Sequence, residues 1–266
     1  MFNLLLPYLL LCLSAFAAGV VNSIAGGGTL LTFPMLLHAG VSSQVANETS
    51  TVALVPGSMA GVWGFRRDLE GARSWLLLLV GPSLGGGLAG ALLLTRLDPK
   101  YFELVVPWLL LLAAVLFAGQ PYLKRLLQPP ETERPAPLWL RALLVVFQFF
   151  IGVYGGYFGA GIGILMLASL GLMGVGSLNR MNAVKNVLAC CINGISVVVF
   201  VAENQVVYQF ALPMMAAAIT GGYCGSSVGR LLPRWLVRGV VIVVGLGLAA
   251  YYFAKHAGLF GPADGA

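Results

Sequence analysis

Charge is what this sequence has least of. Only 9% of its 266 residues are Asp, Glu, Lys or Arg, and 59% are apolar, where a soluble domain carries about a quarter charged residues. The shortage excludes an ordinary water-soluble domain. Apolar runs over 75–94, 101–118 and 237–254 are each, at roughly 20 residues, long enough to cross the hydrocarbon of a bilayer. The chain reads as an all-α membrane protein with many spans.

Histidine is almost missing. His38 ends a short apolar segment and His256 lies beside Lys255 past the last one, so neither has a place at membrane depth. An intramembrane hydrolase needs a nucleophile and a base that meet there, and no enzyme is expected. Cys12, Cys190, Cys191 and Cys224 all sit inside apolar segments with no CxxC pair; buried free cysteine acts as a small hydrophobe, with a functional thiol at Cys190 or Cys191 as the lesser reading. No metal site and no cofactor are expected. A basic tract interleaved with aromatics is also lacking. The net charge of +6 comes from residues between apolar segments, which orient the chain in the bilayer, and nucleic acid is excluded as a partner. Leu4–Leu13 followed by Ala15-Phe16-Ala17 mimics a signal peptide but lacks a basic n-region, so the segment is expected to stay as the first membrane helix.

What the chain does have is two similar halves. A polar, proline-rich stretch over 124–137 has the composition of an exposed connection. It separates a first membrane repeat over 1–123 from a second over 138–266. Five hydrophobic segments fall in each, at roughly 3–25, 29–40, 46–65, 74–95 and 101–122, and at roughly 138–158, 161–174, 182–202, 208–229 and 236–254. The second of each set is too short to span comfortably. Glycines recur in register: Gly19 with Gly152, Gly26 with Gly159, Gly28 with Gly161, Gly57 with Gly194, Gly86-Gly87 with Gly221-Gly222, Gly90 with Gly225. Ala46 pairs with Ala183 in the same way.

Loop charges set the handedness. The loop after the third segment holds Arg66, Arg67 and Arg73, while its counterpart holds only Glu203. The loop after the fourth balances Arg96 and Lys100 with Asp98 and Glu103, while its counterpart holds Arg230, Arg234 and Arg238. Positive residues mark the cytoplasmic side, so equivalent loops face opposite sides, as in inverted-topology repeats. Loops 66–73, 124–141, 176–185 and 230–238 are then cytoplasmic, and both termini lie outside a cell (inner) membrane. Each half either crosses five times or combines a re-entrant hairpin with three spans.

Two glycine-rich breaks interrupt apolar segments at Gly26-Gly27-Gly28 and at Gly159-Ala160-Gly161-Ile162-Gly163. Irregular backbone at depth survives only inside protein or beside a water-filled cavity, and matched breaks in two halves point to a transporter's substrate site. A helix starting at Gly28–Thr29 aims unpaired N–H groups and its positive dipole end into the break, which suits an anion. The candidate binding residues are Asn22, Ser23, Gly26, Gly27, Gly28 and Thr29, with Gly159 and Gly161 in the second half. Close helix packing would call for the same small residues.

The third and eighth segments add Asn47, Glu48 and Thr49, and Lys185, Asn186 and Asn193. Ionisable side chains at membrane depth cost about 2.5–3.5 kcal/mol on insertion scales and mark function by default. Aligning Ala46 with Ala183 sets Glu48 opposite Lys185. Glu48 is the candidate for a coupling proton and Lys185 for neutralising an anion; an interfacial position or a structural Glu48–Lys185 ion pair are the plainer readings. Asn182, Asn186 and Asn193 share one helical face.

The run Gly19…Asn22-Ser23-Ile24-Ala25-Gly26-Gly27-Gly28-Thr29-Leu30-Leu31-Thr32-Phe33-Pro34-Met35-Leu36, followed by Ala46-Asn47-Glu48-Thr49-Ser50, resembles the TauE/SafE sulfite exporter family, also called the toluene sulfonate uptake permease group. Gly152…Gly155…Gly159-Ala160-Gly161-Ile162-Gly163 and Asn182-Ala183-Val184-Lys185-Asn186 resemble that family's second copy. The resemblance implies a small secondary transporter moving sulfite, an organosulfonate or thiosulfate by alternating access. A repeated cysteine motif, as in related thiosulfate carriers, is missing. A passive anion channel, or a carrier for another small organic anion, is the alternative. Expected partners are the small anionic substrate, the lipid bilayer, a coupling proton or cation, and a second copy of the chain in a homodimer.

Overall fold

The computed structural model of the chain describes residues 2–24, 26–126, 137–228 and 234–256. Residues 127–136 of the expected linker and Arg230 of the last cytoplasmic loop lie outside the described residues. Among the described residues, ten α-helices follow in order: α1 (Phe2–Ile24), α2 (Thr29–His38), α3 (Ser43–Gly64), α4 (Arg73–Arg96), α5 (Pro99–Leu126), α6 (Leu138–Tyr157), α7 (Ile162–Met173), α8 (Leu178–Ala202), α9 (Tyr208–Val228) and α10 (Arg234–His256). No strand occurs among the described residues. Helix is the state these apolar runs must take, since in lipid every backbone N–H and C=O has to be bonded within its own segment.

Six helices, α1, α4, α5, α6, α8 and α10, are long and apolar enough to cross a membrane. Leu77, Trp108, Trp139 and Val243 project outward from them, as lipid-facing side chains do. The 10 residues of α2 and the 12 of α7 span about 15 and 18 Å at 1.5 Å per residue, short of the ~30 Å of hydrocarbon. Neither crosses alone. Both glycine breaks turn the chain back on itself, and Gly28 packs against the Ala18 carbonyl ten residues earlier. Although α3 is long, it carries Gln44, Asn47, Glu48, Thr49, Ser50 and Thr51, all buried inside the protein.

Packing is exchanged between the halves. Helix α1 lies on α9 and α6 lies on α4; α3 also packs on α9, and α8 on α4. Two pairs, α3 with α8 and α5 with α10, meet directly. The paired glycines explain the close approach. Gly86 and Gly90 of α4 rest on the Phe149 and Val153 carbonyls of α6, while Gly221 and Gly225 of α9 rest on the Phe16 and Val20 carbonyls of α1. Small residues at such contacts let backbones approach and gain dispersion energy where lipid offers no hydrophobic drive.

Helix starts fix the register between α3 and α8. Ser42 and Ser177 occupy their N-caps with φ/ψ of −61/154° and −60/152°. That register puts Asn47 on Asn182, Ser50 on Lys185 and Thr51 on Asn186, and it gives Glu48 Ala183 for a counterpart. The sequence match of Ala46 with Ala183 and Gly57 with Gly194 is two residues out of this register. Small residues are frequent throughout membrane helices, so such matches carry little register information.

The connections gather charge at two ends. Gly71, before α4, approaches the Arg180 guanidinium near the start of α8, and Arg141 stacks 5.3 Å above the Trp75 ring. Past the far end of α8, Glu203 meets Arg96 at 3.7 Å. The 66–72 connection therefore lies at one end of α8 and the 203–207 connection at the other.

Candidate functional site

The two glycine breaks meet inside the protein. A Cβ on Gly26 would lie 3.0 Å from the Gly163 Cα, and one on Gly27 would lie 3.5 Å from the Gly161 nitrogen. Gly26 has φ +73° and Gly159 φ +82°, left-handed backbone that glycine adopts without steric cost. Beside this contact lies a cavity with about 20 Å³ of free volume, room for about one water.

Its walls are built in pairs. Gly26 and Gly159 line it, as do Thr29 and Ile162, the first residues of α2 and α7. From α3 come Thr51, Leu54 and Ser58, and from α8 their register partners Asn186, Ala189 and Asn193. Gly159 sits between two polar tips: a Cβ there would be 3.7 Å from Asn193 Oδ1 and 3.9 Å from Thr29 Oγ1.

Asn22, Gly27, Gly163 and Lys185 line the cavity without their counterparts, and two of these carry polar side chains. Asn22 reaches around the first break, and its Oδ1 accepts the N–H groups of Gly27 at 2.9 Å and Gly28 at 2.7 Å. These donors at the start of α2 are thereby satisfied. The counterpart of Asn22 is Gly155, which has no side chain to offer, and α7 starts without a side-chain cap. Among the described residues no acceptor partners the N–H groups of Ile162 and Gly163.

Lys185 is the second. It is 1% exposed, lines the cavity, and its Nζ has no hydrogen-bond partner. Its counterpart Ser50 is closed off by a hydroxyl–hydroxyl bond with Thr32. Among the described residues no carboxylate lies within ion-pairing distance of Lys185; the ion pairs there are Arg96–Glu203 and Lys100–Asp98, both exposed. The Glu48–Lys185 pair that the sequence left open does not form: Glu48 Oε1 accepts from Gln44 Nε2 at 3.1 Å instead. The Asn186 amide nitrogen is likewise buried without an acceptor. Among the described residues, a buried amine and spare N–H donors share one cavity wall without a carboxylate, an arrangement that can hold an anion.

Of the residues expected from sequence, the cavity brings together Asn22, Gly26, Gly27, Thr29, Gly159, Lys185, Asn186 and Asn193. It leaves Ser23, Gly28, Asn47, Glu48, Thr49 and Gly161 off its wall. Several of these pin the frame around it. Asn47 Nδ2 donates to the Tyr157 carbonyl at the end of α6, and Thr49 Oγ1 accepts the Val207 N–H before α9. Ser23 bonds the Val20 carbonyl and faces Gly225, and Gly161 packs on Ala113. Ile162 and Gly163 of the second glycine break line the cavity too, and Thr51, Leu54, Ser58 and Ala189 line it without having been named as binding residues in the sequence. The only signal was the spacing of Thr51, Leu54 and Ser58, which share a helical face.

Compared with known proteins, the chain matches the family described as sulfite exporter TauE/SafE over residues 11–252. It is 28% identical over 237 residues to a "Probable membrane transporter protein" of Haemophilus influenzae, covering 88% of this chain and 90% of that one. With the "Probable membrane transporter protein YfcA" of Escherichia coli the identity is 26% over 237 residues, covering 89% and 86%. With the "Probable membrane transporter protein ORF9" of a Sinorhizobium species it is 28% over 240 residues, covering 90% and 89%. No solved structure matches the chain.

Proposed function

The chain belongs to the sulfite exporter TauE/SafE family of membrane transporters, and we propose that it carries a small sulfur-containing anion, sulfite or an organosulfonate, by alternating access across the cell (inner) membrane. One observation carries the reading: among the described residues, the Lys185 amine is buried in a cavity between two helix breaks with no carboxylate partner. Protonated and unpaired there, it would cost several kcal/mol. An anionic oxygen at Lys185 removes that cost, and the open N–H groups of Ile162 and Gly163 supply donors aligned with the positive end of α7. Asn193, Thr29 and Ser58 offer hydrogen bonds to the remaining oxygens.

The two halves are taken as inverted repeats over 1–123 and 138–266, each with a re-entrant pair, α1–α2 or α6–α7, and three crossings. The arginine-bearing connection 66–72 and the start of α8 with Arg180 are then cytoplasmic with the linker, and both termini lie outside. Rocking one set of exchanged helices against the other would open the cavity alternately to each side.

Counterflow in proteoliposomes tests the reading, with labelled sulfite and methanesulfonate as probes. The intact protein is expected to exchange at least one of them, and Lys185→Met to lose that exchange while still melting cooperatively. Equal exchange by both proteins would contradict it.

A further inference from the structure

Lys185 has a consequence for coupling as well as for binding. We propose that it is the proton-coupling site of the carrier, taking up one proton together with each monoanion and releasing both on the other side. This rests on the reading that an anion binds at Lys185.

Among the described residues Lys185 is the one ionisable side chain on the cavity wall. No carboxylate from the helices packed on α8 pairs with it among the described residues. From α3 comes Glu48, whose carboxylate is bonded to Gln44 and which is off the wall. Helix α4 carries Arg73 and Arg96 at its two ends, and α7 carries no ionisable group. Helix α6 brings Arg141, stacked on Trp75, and Tyr154, which donates to the Ala160 carbonyl at 2.6 Å, with Tyr157 at its end. Arg66, Arg67 and Asp68 lie in the short turn that touches the start of α8, and Arg180, Cys190 and Cys191 lie on α8 itself; none of these lines the cavity.

An empty carrier must still change its outward face. With an ammonium it would do so holding an uncompensated buried charge, at several kcal/mol. With a neutral amine it holds none. The cycle balances as follows: R–NH2, a proton and an anion A⁻ combine to R–NH3⁺·A⁻ on one side; the loaded pair is neutral; both the proton and A⁻ leave on the other, restoring R–NH2. No carboxylate is needed as an internal proton store, and the movement of a monoanion is electroneutral.

The experiment uses the full chain in proteoliposomes with a trapped pH dye, potassium and valinomycin holding the potential at zero, and methanesulfonate or bisulfite as the probe. Exchange at equal pH on both sides first establishes binding and turnover. An inward proton gradient is then expected to accumulate the probe about tenfold per pH unit, one unit being a factor of ten in proton activity, with dye acidification that depends on the probe. Lys185→Arg, whose guanidinium keeps its proton, is expected to exchange more slowly and to accumulate nothing. Accumulation in the intact protein that follows an imposed potential and ignores the pH gradient would overturn the coupling role and leave the anion site standing, as would gradient-driven accumulation by Lys185→Arg. No exchange of either probe would defeat the anion site and the coupling role together.

Discussion

Asn22 holds the Gly28 N–H at 2.7 Å, closing with its own amide oxygen a helix start that Gly155, its counterpart, leaves open. The cavity is therefore built on a paired frame but charged on one side. Asn22 bonds two first-half N–H groups within the protein, while Ile162, Gly163 and Lys185 line the space with no such acceptor beside them among the described residues.

That asymmetry is separable by two substitutions. Asn22→Ala removes the acceptor of two N–H groups and is expected to lower stability by about 0.5–2 kcal/mol, as lost helix caps do. Asn22→Asp keeps the acceptor but puts a carboxylate on the wall shared with Lys185. It is expected to melt near the parent temperature and to weaken anion binding about tenfold or more, ~1.4 kcal/mol of competition with the anion. Titration of sulfite or methanesulfonate against melting temperature reads both effects; unweakened binding by Asn22→Asp would break the link.

Gly26 and Gly40 test whether strain alone accounts for the break. Both have positive φ, +73° and +84°, so alanine costs about 1–2 kcal/mol at either. Only at Gly26 does the added methyl meet another chain segment, at 3.0 Å from Gly163 Cα, whereas nothing lies within 4 Å of Gly40. Gly26→Ala is expected to abolish counterflow and Gly40→Ala to keep it.

Gly86 and Gly81 separate helix contact from helix propensity. A methyl on Gly86 runs into the Phe149 carbonyl, while Gly81 has open space. Thermal unfolding in detergent should show Gly86→Ala destabilised by about 1–3 kcal/mol through overpacking, and Gly81→Ala neutral or stabilised by up to about 1 kcal/mol through lower chain entropy.

Glu48 offers the competing place for a coupling proton. Its carboxylate is buried and bonded to Gln44, and a glutamine oxygen there can accept the same bond. With coupling at Lys185, Glu48→Gln keeps accumulation driven by a pH gradient. If Glu48→Gln exchanged the anion but lost accumulation, the proton would belong to Glu48.

Much of this was legible in the sequence because it depends on local chemistry. Apolar run lengths marked the ten segments, and the glycine clusters marked both breaks. Lys185 was visible as an ionisable residue in an apolar context. What was not legible depends on partners far along the chain. Asn22 reads as a ligand until the backbone doubles back and puts the Gly27 and Gly28 N–H groups on its oxygen. Thr49 reads as part of a polar wall, but its hydroxyl is taken by Val207, which arrives from the other half. Thr51 and Ser58 bond the carbonyls of Asn47 and Leu54, as hydroxyls in membrane helices commonly do, so nothing in the sequence separates them from ordinary helix residues. The α3–α8 register needed the two serine caps, because alanine and glycine matches fit several offsets.

The central claim is that Lys185 holds the transported anion, and the most direct measurement is the melting temperature of the purified protein against increasing methanesulfonate and sulfite, for the intact chain and for Lys185→Met. Binding to the folded state raises stability by mass action, about 2.7 kcal/mol at a hundredfold excess over the dissociation constant. The account predicts a rise with concentration for at least one of the two anions in the intact protein and none in Lys185→Met. The same rise in both proteins would contradict it.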